Sequence, residues 1–382
     1  MDLAVIDTGG WQVTLSLKEG KAAADHHPLL PLARKIIAAH PYPKDVDIDS
    51  ARWVTEVALE LHKKWQPQYI MLVYATPFFA YAFRSMVEGD CQLVVDQVFQ
   101  EIERFLSAAD FSPVIVGMGD MELVVDKVNL LDFEGIGVAG GPLAVEAGLF
   151  HPSPQDLNLA LFLPGIQKIV DRDVFQQELG GNPLFYQRFP DRLLLAEDGF
   201  IFRGIGSLPR PVFRRSRWNR EIPLASPLSS LKTIEDLTQI APAVLQELSR
   251  GKKVALILVE GVGCASFPLP CRRIRNTHGW YCYPGGGHNQ YWAVTAGLHL
   301  TRWFYPPGMA WFKEDLIKPY PFSGPFSSLP ETIGRRFRGK SAAVGNRSIY
   351  THVFSGCQIT IECFARALYN QGVMAVLREL EE

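Results

Sequence analysis

The chain has 382 residues, 47% hydrophobic and 20% charged, with 38 Lys and Arg against 40 Asp and Glu for a formal net charge of -2. Such a composition is globular and excludes disorder of the bulk chain, and a pI near 6.5 gives no general pull on nucleic acid. The length fits one large α/β domain or two smaller ones, with ample core.

Residues 2–7 are an apolar run that predicts a strand, with Asp7-Thr8-Gly9-Gly10 as a tight turn. Residues 11–17 alternate apolar and polar side chains, as a second strand would. An acid at position 2 and the lack of a basic leader predict no secretory signal. No uninterrupted apolar window is long enough to predict a membrane span. Trp53, Val54, Val57, Ala58 and Leu61 fall at helical spacing over 50–64, and residues 69–74 read as a strand buried on both faces. A second helix face follows over 93–106. Residues 113–116 and 136–139 predict further strands, the first ending in Gly117-Met118-Gly119-Asp120.

Residues 151–230 are rich in Pro, Arg and Phe and predict an irregular insertion or cap. A helix over 234–248 and a strong strand over 253–260 then resume the α/β pattern, the strand ending in Glu260-Gly261-Val262-Gly263. A Gly, Pro and aromatic loop region spans 264–330, residues 340–344 read as a strand, and 358–381 read as mostly helical. The expected fold is therefore α/β, a mainly parallel sheet with helices on both faces. Segments 1–150 and 231–382 would flank the 151–230 insertion and complete one sheet. The six cysteines form no CxxC pair and read as reduced thiols of a cytoplasmic protein.

Ligands of open parallel sheets bind beyond the carboxyl ends of the strands. Asp7, Asp120 and Glu260 each end a predicted strand beside glycine, where carboxylates could converge on a hard divalent cation. Tight-turn chemistry accounts for the same residues equally well. The second concentration runs from Asn276 to Tyr291. His288 is a candidate metal ligand there, His278 a candidate acid or base, and Thr277 or Cys282 a candidate nucleophile. Gly285, Gly286 and Gly287 could offer backbone N–H groups to an anion. An aromatic packing loop is the alternative for this stretch. Arg214, Arg215, Arg217 and Arg220 could hold a phosphate or form a solvated basic face.

Two blocks carry a family resemblance. In residues 65–122, a strand from Gln66-Pro67 to Tyr74 is followed by a helix with Asp96 near its start and a strand ending in Gly119-Asp120-Met121-Glu122. In residues 253–299, a strand ends in Glu260-Gly261 ahead of the segment from His288 to His299. Together they resemble the alkaline-phosphatase-like superfamily of metal-dependent phospho- and sulfohydrolases, with the blocks in reverse chain order. The loop after Tyr74 departs in lacking Asp and His, and Met121 stands where that family has His. Separately, Asp7-Thr8-Gly9-Gly10 before a strand is similar to the first hairpin of the actin-like sugar-kinase and acetate-kinase fold, which implies phosphate and Mg²⁺ at that turn.

The expected function is a metal-dependent hydrolase acting on a phosphorylated or other anionic small molecule. Asp7, Asp120, Glu260 and His288 would hold Zn, Mn or Mg. One alternative is a non-catalytic binding or scaffold protein on a degenerate hydrolase fold, its pocket lined by Trp280, Tyr281, Tyr283, Trp292 and Trp303. A small-molecule kinase is the other. Nucleic acid and membrane are not expected as partners.

Overall fold

A computed structural model describes residues 2–7, 12–16, 21–22, 29–43, 47–83, 88–139, 143–203, 213–216, 219–303, 306, 309, 359–362 and 373–378. In chain order, β1 (Asp2–Asp7) and β2 (Gln12–Ser16) form the predicted hairpin, extended by β3 (Lys21–Ala22). Helices α1 (Leu29–Ala39) and α2 (Ile48–Trp65) lead to β4 (Tyr69–Tyr74). Then come α3 (Thr76–Phe83), α4 (Glu88–Ala108) and β5 (Ser112–Gly117). Asp49 in the first turn of α2 and His62, Lys63 and Lys64 in its last turn complement the helix dipole.

The middle of the chain carries β6 (Met121–Leu123), β7 (Asp126–Asn129), β8 (Ile136–Ala139), β9 (Glu146–Phe150), α5 (Pro154–Phe162) and β10 (Ile166–Asp171). It continues through α6 (Arg172–Leu179), α7 (Pro183–Tyr186), β11 (Arg192–Ala196), β12 (Phe200–Arg203) and β13 (Phe213–Arg215). The last part holds β14 (Glu221–Ala225), α8 (Ile240–Ser249), β15 (Val254–Val259) and β16 (Arg272–Arg275). A small hairpin of β17 (Thr277–His278) and β18 (Tyr281–Cys282) precedes α9 (His288–Ala296), β19 (Ile359–Glu362) and β20 (Val373–Arg378).

Among the described residues the main sheet has ten strands, in the order β16-β14-β5-β15-β4-β19-β20-β1-β2-β3. Only the consecutive strands β5, β15, β4 and β19 pair with one another in parallel; the other pairings are antiparallel. The sheet is thus mixed, which corrects the mainly parallel expectation: a parallel centre carries antiparallel wings on both sides.

Side-chain alternation in the central strands divides the core. Tyr69, Met71 and Val73 of β4 and Val254, Leu256 and Leu258 of β15 face a layer that includes α8 and α9. Ile70, Leu72, Tyr74, Ala255, Ile257 and Val259 face α1, α2 and α4. Burial on both faces is why these strands read as unbroken apolar runs.

Two further expectations are corrected. Much of the 151–230 segment is regular, because β10-β11-β9-β8 form a second sheet, antiparallel throughout, with its own core around Leu149, Leu194 and Phe202. Helix α5 in this segment opens with a capping box between Ser153 and Asp156. Within 358–381 the described residues are strands. β19 is held between β4 and β20, so ladder pairing on both edges overrides the helical composition of that stretch. The strand predicted at 340–344 lies outside the described residues. No helix among the described residues is long and apolar enough to cross a membrane.

Candidate functional site

The parallel centre fixes a common rim. Val73 of β4, Leu258 of β15 and Val116 of β5 stand in one register row, so the loops that leave these strands emerge side by side. They bring 118–120 against 260–263. The row continues through Glu362, Val373 and Asp7. Asp7 therefore reaches the same rim, but four strands from β15, roughly 19 Å away at the usual spacing. It does not share a cleft with Glu260.

Asp120 acts as a clamp between the two loops. Its Oδ1 accepts from the Gly263 N–H (2.9 Å) and the Ser266 hydroxyl (2.7 Å), and its Oδ2 from the Ala265 N–H (3.2 Å). The approach is so close that a Cβ on Gly263 would stand 2.3 Å from the Asp120 nitrogen. Glu260 is buried, and its Oε1 accepts from the Tyr291 hydroxyl on α9 at 2.5 Å. His288 is the first residue of α9 and half-buried.

Among the described residues no group of three His, Cys, Asp or Glu side chains is placed to hold an ion. The Asp120 carboxylate is engaged in tying the two loops together, and Glu260 Oε1 in tying its loop to α9. The donor set of Asp7, Asp120, Glu260 and His288 does not fit a divalent cation.

The glycine run is likewise a packing device. A Cβ on Gly285 would meet the Met118 carbonyl oxygen at 2.6 Å. The Gly286 N–H donates to Gln290 Oε1 (2.6 Å) and the Gly287 N–H to the Pro284 carbonyl (2.9 Å). Gln290 Nε2 in turn donates to Asn276 Oδ1 (2.9 Å), and Asn276 Nδ2 to the carbonyls of Asn219 (2.7 Å) and Tyr283 (2.8 Å). Asn219 closes the chain by exchanging hydrogen bonds with the Asp120 backbone. This line of buried amides braces the rim, and sequence reading missed its role because isolated Asn and Gln carry no periodic signature.

Thr277 and Cys282 face each other across the β17–β18 hairpin. His278 points to the other side, where Nε2 lies 3.1 Å from the Leu179 carbonyl. That oxygen can only accept, so Nε2 carries the proton. The ring stacks on His299 with centroids 4.1 Å apart. His299 Nδ1 lies within hydrogen-bond distance (3.0 Å) of the Tyr283 hydroxyl, which itself accepts from the Leu300 N–H. Burial lowers the pKa of His278. Burial and then the neighbouring His278 ring lower that of His299 to about 4. Both rings are neutral at pH 7. The aromatic residues offered as a binding pocket instead pack into the core: Tyr281, Tyr283, Trp292 and Trp303 are buried.

The opening at this rim lies beside the clamp, a pocket of about 690 Å³. Asn219, Arg220 and Glu221 line it from the start of β14, and Arg273, Arg275 and Thr277 from β16 and the hairpin. Asp120, Cys264 and Ala265 complete it. Arg275 lies 3.8 Å from Glu235, whereas Arg220 and Arg273 form no ion pair among the described residues. Burial pushes the Cys264 thiol up to about 11, so it is not an activated nucleophile. Of the predicted site residues, the fold gathers Asp120, Glu260, Thr277 and the glycines near this rim. Asp7 stands apart, and His278 is turned toward Leu179.

No family model matches the chain, and no curated protein matches it in sequence. Crystal structures of a phosphonoacetate hydrolase from Sinorhizobium meliloti 1021 align in part. The complex with phosphonoacetate covers 53% of this chain and 55% of that one, at 12% identity and a TM-score of 0.37. The complex with phosphonoformate covers 45% and 48%, at 11% identity and a TM-score of 0.31. The chain spans about half the length of the hydrolase it matches, and a likeness at these scores carries no argument.

Proposed function

We propose that this chain binds a small anionic molecule in the arginine-lined pocket at the carboxyl rim, with guanidinium groups rather than a metal ion neutralising the ligand. The observation that carries the reading is that Arg220 and Arg273, which form no ion pair among the described residues, line one pocket whose volume suits a small organic ligand. Thr277 supplies a hydroxyl to the bound anion. It acts there as a hydrogen-bonding group, because its strand neighbour His278 points to the opposite side of the hairpin, toward Leu179.

Charged residues on an edge strand such as β16 also deter edge-to-edge pairing. That role needs no ligand and is the competing explanation. Thermal melting separates the two. Inorganic phosphate should raise the melting temperature of the wild type, since a ligand that binds only the folded state stabilises it. The double variant R220A/R273A should show no such shift. An equal shift in both proteins would refute binding at this pocket.

A further inference from the structure

We infer that the seam between α4 and the 266–270 loop is a docking groove for an amphipathic basic helix of a partner protein. The groove is separate from the arginine-lined pocket, and the inference does not rest on anion binding there.

The seam follows from how the sheet is covered. Helix α4 packs onto the core through Val95, Val98, Phe99, Ile102 and Phe105. Beside it the covering element is a loop. Phe267 sets its ring edge-on to Phe99 with centroids 5.1 Å apart, and a Cβ on Gly117 of β5 would meet that ring at 3.2 Å. A loop carrying Pro268 and Pro270 has no ridges to fill the grooves of a helix, and a cavity of about 540 Å³ stays open between the two. Its floor is Phe99, Ile102 and Leu106 of α4 with Ile115 of β5, and Pro268 and Leu269 form the far wall. Leu269 is exposed, as is Leu93 one turn before Asp96, so apolar surface faces solvent along the seam.

The charge on the groove has one sign. Asp96 and Glu103 line it from α4, both exposed, and no basic side chain among the described residues lines it. Asp96 accepts from Gln92 at 2.9 Å. Glu103 forms no ion pair among the described residues, because its neighbour Arg104 is taken by Glu56 and Glu101. Seven residues make close to two turns, so the two carboxylates fall on one line along α4, about 10 Å apart.

A second α-helix laid alongside repeats with the same pitch. Lys or Arg side chains seven residues apart on it would reach both acids at once. Leu or Phe side chains between them would fill the groove, as in other helix-in-groove complexes. The aliphatic stems of Lys and Arg also suit an apolar rim with an acid beyond it. A second copy of this chain fits less well, since α4 laid on its own copy would set acids against acids.

The test is fluorescence anisotropy of the full chain against a labelled leucine–lysine helix of about five turns, its leucines in one stripe flanked by lysines about two turns apart. Saturable binding is expected. D96N/E103Q should weaken it about three- to thirtyfold, as loss of two exposed ion pairs implies, and raising salt from about 50 to about 500 mM should weaken it too. L269S removes the exposed leucine of the far wall and should weaken binding while melting like the wild type. E134Q/D173N makes the same change of charge elsewhere on the surface and should leave binding unchanged. A peptide with glutamate in place of lysine should not bind. Failure of the lysine peptide to bind, or equal affinity for D96N/E103Q and the wild type, would overturn the proposal. So would a dimer of the chain alone in sedimentation that L269S dissociates, since a second copy would then cover the groove.

Discussion

Asp120 and Arg273 line one pocket and do opposite work. The aspartate spends its carboxylate on two backbone N–H groups and a hydroxyl, so it contributes to stability. Asp120→Ala should cost about 2 kcal/mol in denaturant unfolding, within the usual range for hydrogen bonds to a charged group. It should not weaken anion binding. Arg273→Ala should do the reverse, losing about 1.5–3 kcal/mol of binding free energy, or roughly tenfold and more in affinity, with little change in unfolding. His299 adds a pH dependence. Its folded pKa of about 4 lies below the ordinary 6.5, so below pH 6.5 the unfolded chain binds the proton more readily. Stability should therefore decline as pH falls from about 6.5 toward about 4. H299Q should flatten that part of a melting-temperature profile, and an unchanged profile would contradict the assignment.

The central strands show what local sequence can specify. Leu256 in β15 is packed on every side, and Leu256→Ala should cost about 2–5 kcal/mol, as buried leucine truncations do. Strands of this type are legible because burial on both faces leaves no polar positions, and α2 and α4 are legible because one face of each is apolar. β14 and β16 were not legible. They are short, contain Pro223 and three arginines, and owe their pairing to neighbours, β14 to β5 and β16 to β14, rather than to their own pattern. β19 and β20 failed for the same reason: a strand specified by its neighbours leaves little trace in its own residues. Gly263→Ala tests the loop contact, since its new Cβ would be forced into the Asp120 backbone. A loss of about 1–3 kcal/mol is expected for such overpacking.

At the scale of the whole molecule, the sheet decides what the acid-ended strands can do. Reading the sequence placed Asp120, Glu260 and the 276–291 loop near a common rim, and the fold brings them there. Their chemistry was not legible, because partners such as Tyr291, Ser266 and Asn219 are chosen by tertiary contact. Strand order put Asp7 out of range, which no local pattern encodes. Arg220 read as a phosphate holder or part of a solvated basic face, and Arg273 was passed over, because an exposed Arg in sequence is indistinguishable from a solvated surface charge until the fold shows which of them line one pocket. The central claim is binding of an anion by arginine without a metal ion, and one measurement addresses it most directly. It is calorimetric titration of the protein with glycerol phosphate, in EDTA and again with added Mn²⁺. Equal affinity in both conditions, lost in R220A/R273A, is the expected result. Binding that requires Mn²⁺ and survives the arginine substitutions would contradict the account.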